Sequence, residues 1–279
     1  MPMPVGIFDS GLGGLSVLRA VRAQLPHESL IYVADSRYAP YGKRDDDFIA
    51  DRTLAIGQWL AAQGAKALVV ACNTATAQAI ARARETLPIP IVGVEPGIKP
   101  AALRTQSHVV GVLATPATLR SARFQALVER HAAGCQVLCQ PGHGLVEAVE
   151  RCDVSPDSPA LLALLRGYLQ PMLDAGADTL VLGCTHYPFL DQAIRAVVGD
   201  RMQLIDTSVA IARQLQRVLV AHGLQHEARS GDESPPSVRF CSTNNGEHLR
   251  ELATTLLKID TPVTHVDIAS RRTCTDQPS

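Results

Sequence analysis

The sequence predicts an α/β protein made of two pseudo-symmetric, doubly wound domains with mainly parallel sheets. Two observations carry that expectation. Apolar runs of strand length alternate with amphipathic stretches of helix length along most of the chain. The same short patterns also return, in the same order, roughly 105–112 residues further on.

The elements follow in order. Val5–Asp9 is the first strand-like run, and the glycine turn after it leads into a stretch with Leu18, Val21 and Leu25 at helical spacing. Leu30–Ala34 and Ala67–Cys72 read as the next two strands. Ile91–Glu95 is a fourth, fenced by Pro88, Pro90 and Pro96. His108–Thr115 opens the second series, where Val110-Gly-Val-Leu113 echoes Val5-Gly-Ile-Phe8. Ala177–His186 echoes Ala65–Thr74, and Gln203–Asp206 echoes Val92–Glu95. Three echoes in one order imply duplication, and the echo ends near residue 212. A polar stretch, Gln225–Pro236, then precedes a strand at Val238–Ser242, a helix at Glu247–Leu257 and a short strand at Val263–Val266. This last piece has no counterpart after the first half, so it is expected to return and complete the first sheet. The division expected is residues 1–97 with 213–270, residues 98–212, and a frayed tail over residues 271–279.

Composition narrows the function. The 279 residues carry 26 Lys+Arg against 27 Asp+Glu, 46% hydrophobic residues and 4% aromatics. That supports a packed core and gives no footprint for nucleic acid. The longest apolar runs are strand-sized, so no membrane span is expected, and the N-terminus enters a strand pattern without a leader-like segment. These features predict a cytoplasmic protein, in which the seven cysteines are free thiols.

Two of those thiols stand out. Cys72 and Cys184 occupy equivalent places in the repeat, each at the end of an apolar strand and ahead of a small polar residue, Asn73 or Thr185. Ligands of open parallel sheets bind beyond the carboxyl ends of the strands. A thiol there is expected to face a helix N-terminus, which favours the thiolate. One such cysteine is most simply core filler; two at matched positions point to chemistry. A pair facing one another across a cleft suits a racemase or epimerase, with one thiolate removing a proton and the opposite thiol returning it. A redox pair would be C-x-x-C, and a hydrolase would not need the repeat. Asp9 and His186 are the groups placed to help the nearer thiol exchange its proton. The turn Asp9–Gly14 matches neither dinucleotide nor Walker patterns, but its glycines allow close approach to an anion. Tyr41 and the Gly42 amide are candidate donors to a carboxylate.

Other patterns are set aside. His131, Cys135, Cys139 and His143 recur every four residues, but Gly134, Pro141, Gly142 and Gly144 interrupt any helix that would stack them, so no metal site is expected. Cys152, Cys241 and Cys274 read as filler or tail. The four lysines, Lys43, Lys66, Lys99 and Lys258, do not end strands of the repeat, which disfavours pyridoxal phosphate.

As a set, Gly6-Ile-Phe-Asp-Ser-Gly-Leu-Gly-Gly-Leu-Ser-Val17, Pro40-Tyr-Gly42, Ala71-Cys-Asn-Thr-Ala-Thr76, Gly93-Val-Glu-Pro-Gly-Ile-Lys-Pro100 and Gly183-Cys-Thr-His-Tyr-Pro188 resemble the bacterial glutamate racemases, from about residue 4 to about residue 268. Aspartate and hydantoin racemases share paired cysteines and resemble these motifs less well. The resemblance implies two α/β domains with the active site in the cleft between them. It implies a cofactor-independent interconversion of L- and D-glutamate that supplies peptidoglycan synthesis. It further implies that Cys72 acts on the D-enantiomer and Cys184 on the L-enantiomer, and that Asp9, Ser10, Tyr41, Gly42, Asn73, Thr74, Thr118, Thr185 and His186 line the substrate site. The resemblance also implies Glu147 as the acidic assistant, at the same distance after Cys139 as in the family, and a homodimer. A racemase of another acidic amino acid, a non-catalytic binding protein on the same fold and a zinc protein are the alternatives.

Overall fold

The computed structural model describes residues 3–226 and 236–269. The tail from Arg271, with Cys274, and most of the polar stretch Gln225–Pro236 lie outside the described residues. The chain divides into two units, one formed by residues 1–94 and 208–279 and the other by residues 95–207.

The first unit begins with β1 (Val5–Asp9), α1 (Leu15–Gln24), β2 (Leu30–Ala34), α2 (Asp46–Ala62), β3 (Ala67–Val70), α3 (Asn73–Thr86) and β4 (Ile91–Gly93). The second contains α4 (Ile98–Arg104), β5 (Val109–Ala114), α5 (Pro116–Arg120), α6 (Ala122–His131), β6 (Gln136–Pro141), α7 (Leu145–Glu150), α8 (Pro159–Asp174), β7 (Thr179–Gly183), α9 (Asp191–Val198) and β8 (Gln203–Ile205). The chain then rejoins the first unit through α10 (Ser208–Ala221), β9 (Val238–Ser242), α11 (Glu247–Leu257) and β10 (Val263–His265).

The first sheet has the order β10-β9-β2-β1-β3-β4 and the second β6-β5-β7-β8. Every pairing is parallel. The run 2-1-3-4 in the first sheet is matched by 6-5-7-8 in the second, so the sequence echo is also an echo of topology. The return of β9 and β10 to the first sheet agrees with the reading of the C-terminal piece.

Burial explains why the central strands are uninterrupted apolar runs. All residues of β1, β2, β3 and β7 are buried, as expected for parallel strands covered on both faces. Each fully buried Val, Leu or Ile contributes about 1.5–3 kcal/mol. Around the first sheet, Phe8, Ile49, Ile56, Leu60, Leu68 and Val70 form one cluster. In the second unit, Leu145, Leu165, Leu180, Leu182, Tyr187 and Ile194 belong to another. On the other face of that sheet, Val110, Val112, Phe124 and Val181 form a third.

Polar groups fix the ends of the elements. The buried Lys66 ammonium lies 2.6 Å from Glu28 Oε2, while Glu28 Oε1 accepts the backbone N–H of His226, tying the returning chain to the first sheet. At the entrance to β5, the Asp178 carboxylate accepts bonds from the Thr105 hydroxyl (2.6 Å), the Gln106 and Ser107 amides (2.7 and 2.8 Å) and the Thr179 hydroxyl (2.9 Å). Burial opposes the Asp178 charge, but these bonds outweigh it and lower its pKa to about 2. A carboxylate whose folded pKa is depressed stabilises the fold above its unfolded pKa of about 4. That contribution fades as pH falls through the folded value. Asp178→Asn is therefore expected to lower stability at neutral pH, and its difference from wild type should shrink as pH drops from about 4 towards 2. Urea unfolding across that range checks it; a deficit that stays constant with pH refutes it.

Candidate active site

In the first unit the site grows from the way β1 and β3 end together. They pair in register through Phe8 and Val70, and the Ala71 amide donates to the Phe8 carbonyl at 2.7 Å. The strand order reverses between them, with β2 on one side and β3 on the other, so their carboxyl ends open the crevice where such sheets take ligands. Asp9–Ser10 and Cys72 emerge side by side there. Asp9 is buried, and its Oδ2 accepts the amides of Gly14 (3.0 Å) and Gly11 (3.3 Å), which folds the turn back on the strand. A Cβ at Gly14 would stand 2.7 Å from Asp9 Cβ and 3.0 Å from the Tyr32 hydroxyl, so the turn requires glycine there.

This turn delivers Ser10 Oγ to 3.4 Å from Cys72 Sγ. Cys72 is also the N-cap of α3, with its sulfur accepting the Ala75 amide at 3.4 Å. An amide at the head of a helix aimed at sulfur favours the thiolate, and the Ser10 hydroxyl lies within hydrogen-bonding distance of it. Asn73 and Thr74 follow, both buried, and Asn73 Oδ1 has no hydrogen-bond partner among the described residues. A buried amide oxygen left this way costs about 1–3 kcal/mol unless a donor arrives.

The Pro40–Gly42 loop ends in a short 3-10 turn, Tyr41–Lys43. Tyr41 is buried in the same apolar cluster as Cys72. Its hydroxyl does not face outward as a donor for a carboxylate, because it donates to Asp35 Oδ2 at 2.6 Å. Burial first, and then the Asp35 charge, raise the Tyr41 pKa well above that of a free tyrosine. What the loop offers an anion is backbone, since the leading amides of a short helical turn have no intrahelical acceptor.

The second unit repeats the plan. β5 and β7 pair through Ala114 and Gly183, with β6 on the other side of β5. The Thr115 hydroxyl donates to Thr118 Oγ1 at 2.9 Å, and the Thr118 amide donates back to Thr115 Oγ1 at 3.2 Å. The buried Thr118 thus keeps its own hydroxyl proton for another acceptor. Cys184 and Thr185, both buried, follow β7.

Here the expectation of a helix N-terminus at each thiol is corrected. Cys72 caps α3, but Cys184 leads into a turn, a 3-10 segment at Tyr187–Leu190, and only then α9. Pro188 sits in the first turn of that 3-10 segment, where its missing N–H leaves no intrahelical bond unmade. The sulfur of Cys184 is instead 3.7 Å from His186 Nδ1, whose Nε2 is 3.2 Å from Glu150 Oε1. A carboxylate only accepts, so Glu150 holds the proton on Nε2 and leaves the Nδ1 lone pair towards the thiol.

Glu147 does not occupy that position. It is exposed on α7, and the acid that reaches His186 is Glu150, three residues along the same helix. Residues 147 and 150 lie on much the same side of the helix, about 4.5 Å apart along its axis, and it is the later one that comes within reach of the histidine. Spacing from Cys139 points to Glu147, whereas the acid in contact with His186 is Glu150. The start of α7 is held by Tyr187, whose hydroxyl donates to the Gly142 carbonyl at 3.3 Å, and by Tyr168, which donates to the His143 carbonyl at 2.9 Å. A Cβ at Gly142 would lie 2.3 Å from the Tyr187 oxygen, which explains the small residue.

The four-residue His/Cys series falls on the end of α6, a turn, β6 and a loop. Among the described residues no group of three or more His, Cys, Asp or Glu is arranged to hold a metal ion. Cys241 lies buried in β9, and burial raises its thiol pKa, as expected for an inert filler. No helix among the described residues is long and apolar enough to cross a membrane.

The profile of the family described as Asp/Glu/Hydantoin racemase matches residues 15–215. The glutamate racemase of Ralstonia pickettii is 58% identical over 265 residues, covering 95% of this chain and 92% of that protein. Among solved structures, the glutamate racemase isoform RacE1 of Bacillus anthracis superposes with a TM-score of 0.84 at 31% identity, over 95% of this chain and 97% of that one. The Escherichia coli glutamate racemase, solved with L-glutamate and the activator UDP-MurNAc-Ala, gives 0.79 at 33% identity, over 95% and 98%. The chain belongs to the Asp/Glu/hydantoin racemase family. Within that family its similarity runs to the glutamate racemases, which are isomerases.

Glu150→Gln is expected to lower racemisation by about tenfold or more, the scale of one lost hydrogen bond to a charged group. Glu147→Gln should change it little. Polarimetric rates of the two variants decide; the reverse ranking would restore Glu147 as the assistant.

Proposed function

We propose that the protein interconverts L- and D-glutamate without a cofactor, using Cys72 and Cys184 as the two bases. The observation that carries this reading is the matched placement of two buried thiols, one after β3 and one after β7, each with its own proton-handling neighbours. In the L-to-D direction, the Cys184 thiolate takes the α-proton, and His186, oriented by Glu150, has already accepted the thiol proton. The Cys72 thiol then delivers a proton to the opposite face, and the Ala75 amide and Ser10 hydroxyl stabilise the thiolate left behind. The D-to-L direction runs in reverse. Asp9 acts on the Cys72 side, holding the turn that carries Ser10.

Recognition follows from the polar groups near each strand end. The orphaned Asn73 oxygen suits the substrate ammonium. Thr74, Thr118 and Thr185 are assigned to the α-carboxylate, and Ser10 with the Tyr41–Gly42 amides to the distal carboxylate. A site built of buried donors rejects analogues that leave them unpaired, so glutamate is preferred to its amide and to aspartate. We place the enzyme in the cytoplasm as a homodimer, with no nucleic-acid or membrane partner, supplying D-glutamate for peptidoglycan.

Cys72→Ala and Cys184→Ala are each expected to abolish racemisation while the circular dichroism of the fold is retained. Solvent-deuterium exchange then reads the faces one at a time. Asp9→Asn should slow exchange from D-glutamate more than from L-glutamate, and His186→Asn the opposite. Substantial racemisation by either cysteine variant ends the two-base reading. Equal losses on both faces would mean that Asp9 and His186 only position the substrate.

A further inference from the structure

We infer that the buried pair Asp35–Arg52 is a positioning device that fixes the Tyr41–Gly42 backbone for substrate; this rests on the proposed reading that the loop meets the distal carboxylate. Both side chains are fully buried. The guanidinium makes a two-pronged contact, Nη2 to Asp35 Oδ1 at 2.7 Å and Nε to Asp35 Oδ2 at 3.0 Å, and its Nη1 donates to the Ile268 carbonyl. The ring of Tyr38 lies under the guanidinium at 4.4 Å. Arg52 is thus committed to protein groups at every nitrogen. It acts on the reaction only through what it holds.

What it holds is the loop. Asp35 follows β2, and its Oδ2 accepts the Tyr41 hydroxyl while also accepting from Arg52. The loop is pinned at its start by the Tyr38 amide on the Asp35 carbonyl, and Arg44 Nε donates to the Tyr38 carbonyl. Tyr41 packs beside Phe8 with ring centroids 6.2 Å apart, next to the strand that carries Asp9. One carboxylate therefore sets the position of a loop through its tyrosine, and one arginine sets the carboxylate. The same arginine reaches the last described turn of the chain at Ile268, so the returning C-terminal segment completes the clamp.

Energetics favour a positioning role over a stabilising one. A buried ion pair is often no better for stability than well-packed apolar residues of the same volume, because both charges must be desolvated. Its distinctive contribution is direction, since a bidentate guanidinium–carboxylate contact fixes the plane of both groups.

The test uses Tyr41→Phe, the double variant Asp35→Leu/Arg52→Met, and Arg52→Lys in the full-length enzyme. Wild-type amide NMR with D-glutamate first reports whether Tyr41 and Gly42 sense the ligand. Positioning predicts that Tyr41→Phe raises KM by about tenfold with kcat within about threefold, the pattern of lost binding without lost chemistry. The double variant should do the same or more while its melting temperature stays near wild type, and Arg52→Lys should recover part of the KM. Variants that melt earlier but keep the wild-type KM overturn the inference and leave the pair a structural one. If the double variant does not fold, Tyr41→Phe decides alone, and an unchanged KM overturns the inference. Amides of Tyr41 and Gly42 that ignore the ligand overturn both the loop's role and the inference. Responsive amides with an unchanged KM in every variant overturn the inference alone.

Discussion

The constraint on which the candidate site residues of each unit depend is that neighbouring parallel strands end on the same side. β1 and β3 run in register to Phe8 and Val70, so whatever follows each strand must emerge within side-chain reach of the other. That one fact brings Ser10 to Cys72 across 62 positions of sequence. It also demands tight turns, because two chains leave a strand pair less than 5 Å apart. Asp9 answers by turning its carboxylate onto the amides of Gly11 and Gly14, and Gly14 by having no side chain. β5 and β7 obey the same rule, with a threonine pair in place of the aspartate turn.

Duplication explains the matched placement of the thiols, yet their support has diverged. Cys72 leans on a helix amide and a hydroxyl, groups that do not ionise in the neutral range. Cys184 leans on an imidazole backed by a carboxylate. The difference follows what comes after each strand, an α-helix directly after Cys72 and a turn with a 3-10 segment after Cys184. The two units therefore set chemically unlike partners beside their thiols, although their sheets share one topology.

Much of the fold was legible because parallel strands buried on both faces leave continuous apolar runs. Val5–Asp9 and Leu30–Ala34 are bounded to the residue by that signal, while Val238–Ser242, with the exposed Arg239 near its start, reads as a strand without it. Position in the repeat was enough to single out both cysteines. Contacts that depend on the direction of a side chain were not legible. Choosing between Glu147 and Glu150 needs the phase of a six-residue helix, and spacing from Cys139 does not carry it. Nothing in Pro40-Tyr-Gly42 names Asp35 as the acceptor of the Tyr41 hydroxyl. Asp35 and Arg52 went unremarked for the same reason. A charged residue inside a helix such as α2 ordinarily faces water, and its burial is decided by a carboxylate 17 positions away.

The order of strands has a consequence for synthesis. A ribosome releases the chain from its N-terminus, at about 5–20 residues per second. The second unit, residues 95–207, is a continuous segment and has all four of its strands once Ile205 is out. The first unit is not continuous. Its strand β2 waits for β9, with an open edge of unpaired amides and carbonyls, until Ser242 has been made. The part of the protein that begins first is therefore finished last, and the nascent chain carries a sticky sheet edge while a completed neighbour is already folded behind it. Chaperone demand during translation should concentrate on that one edge.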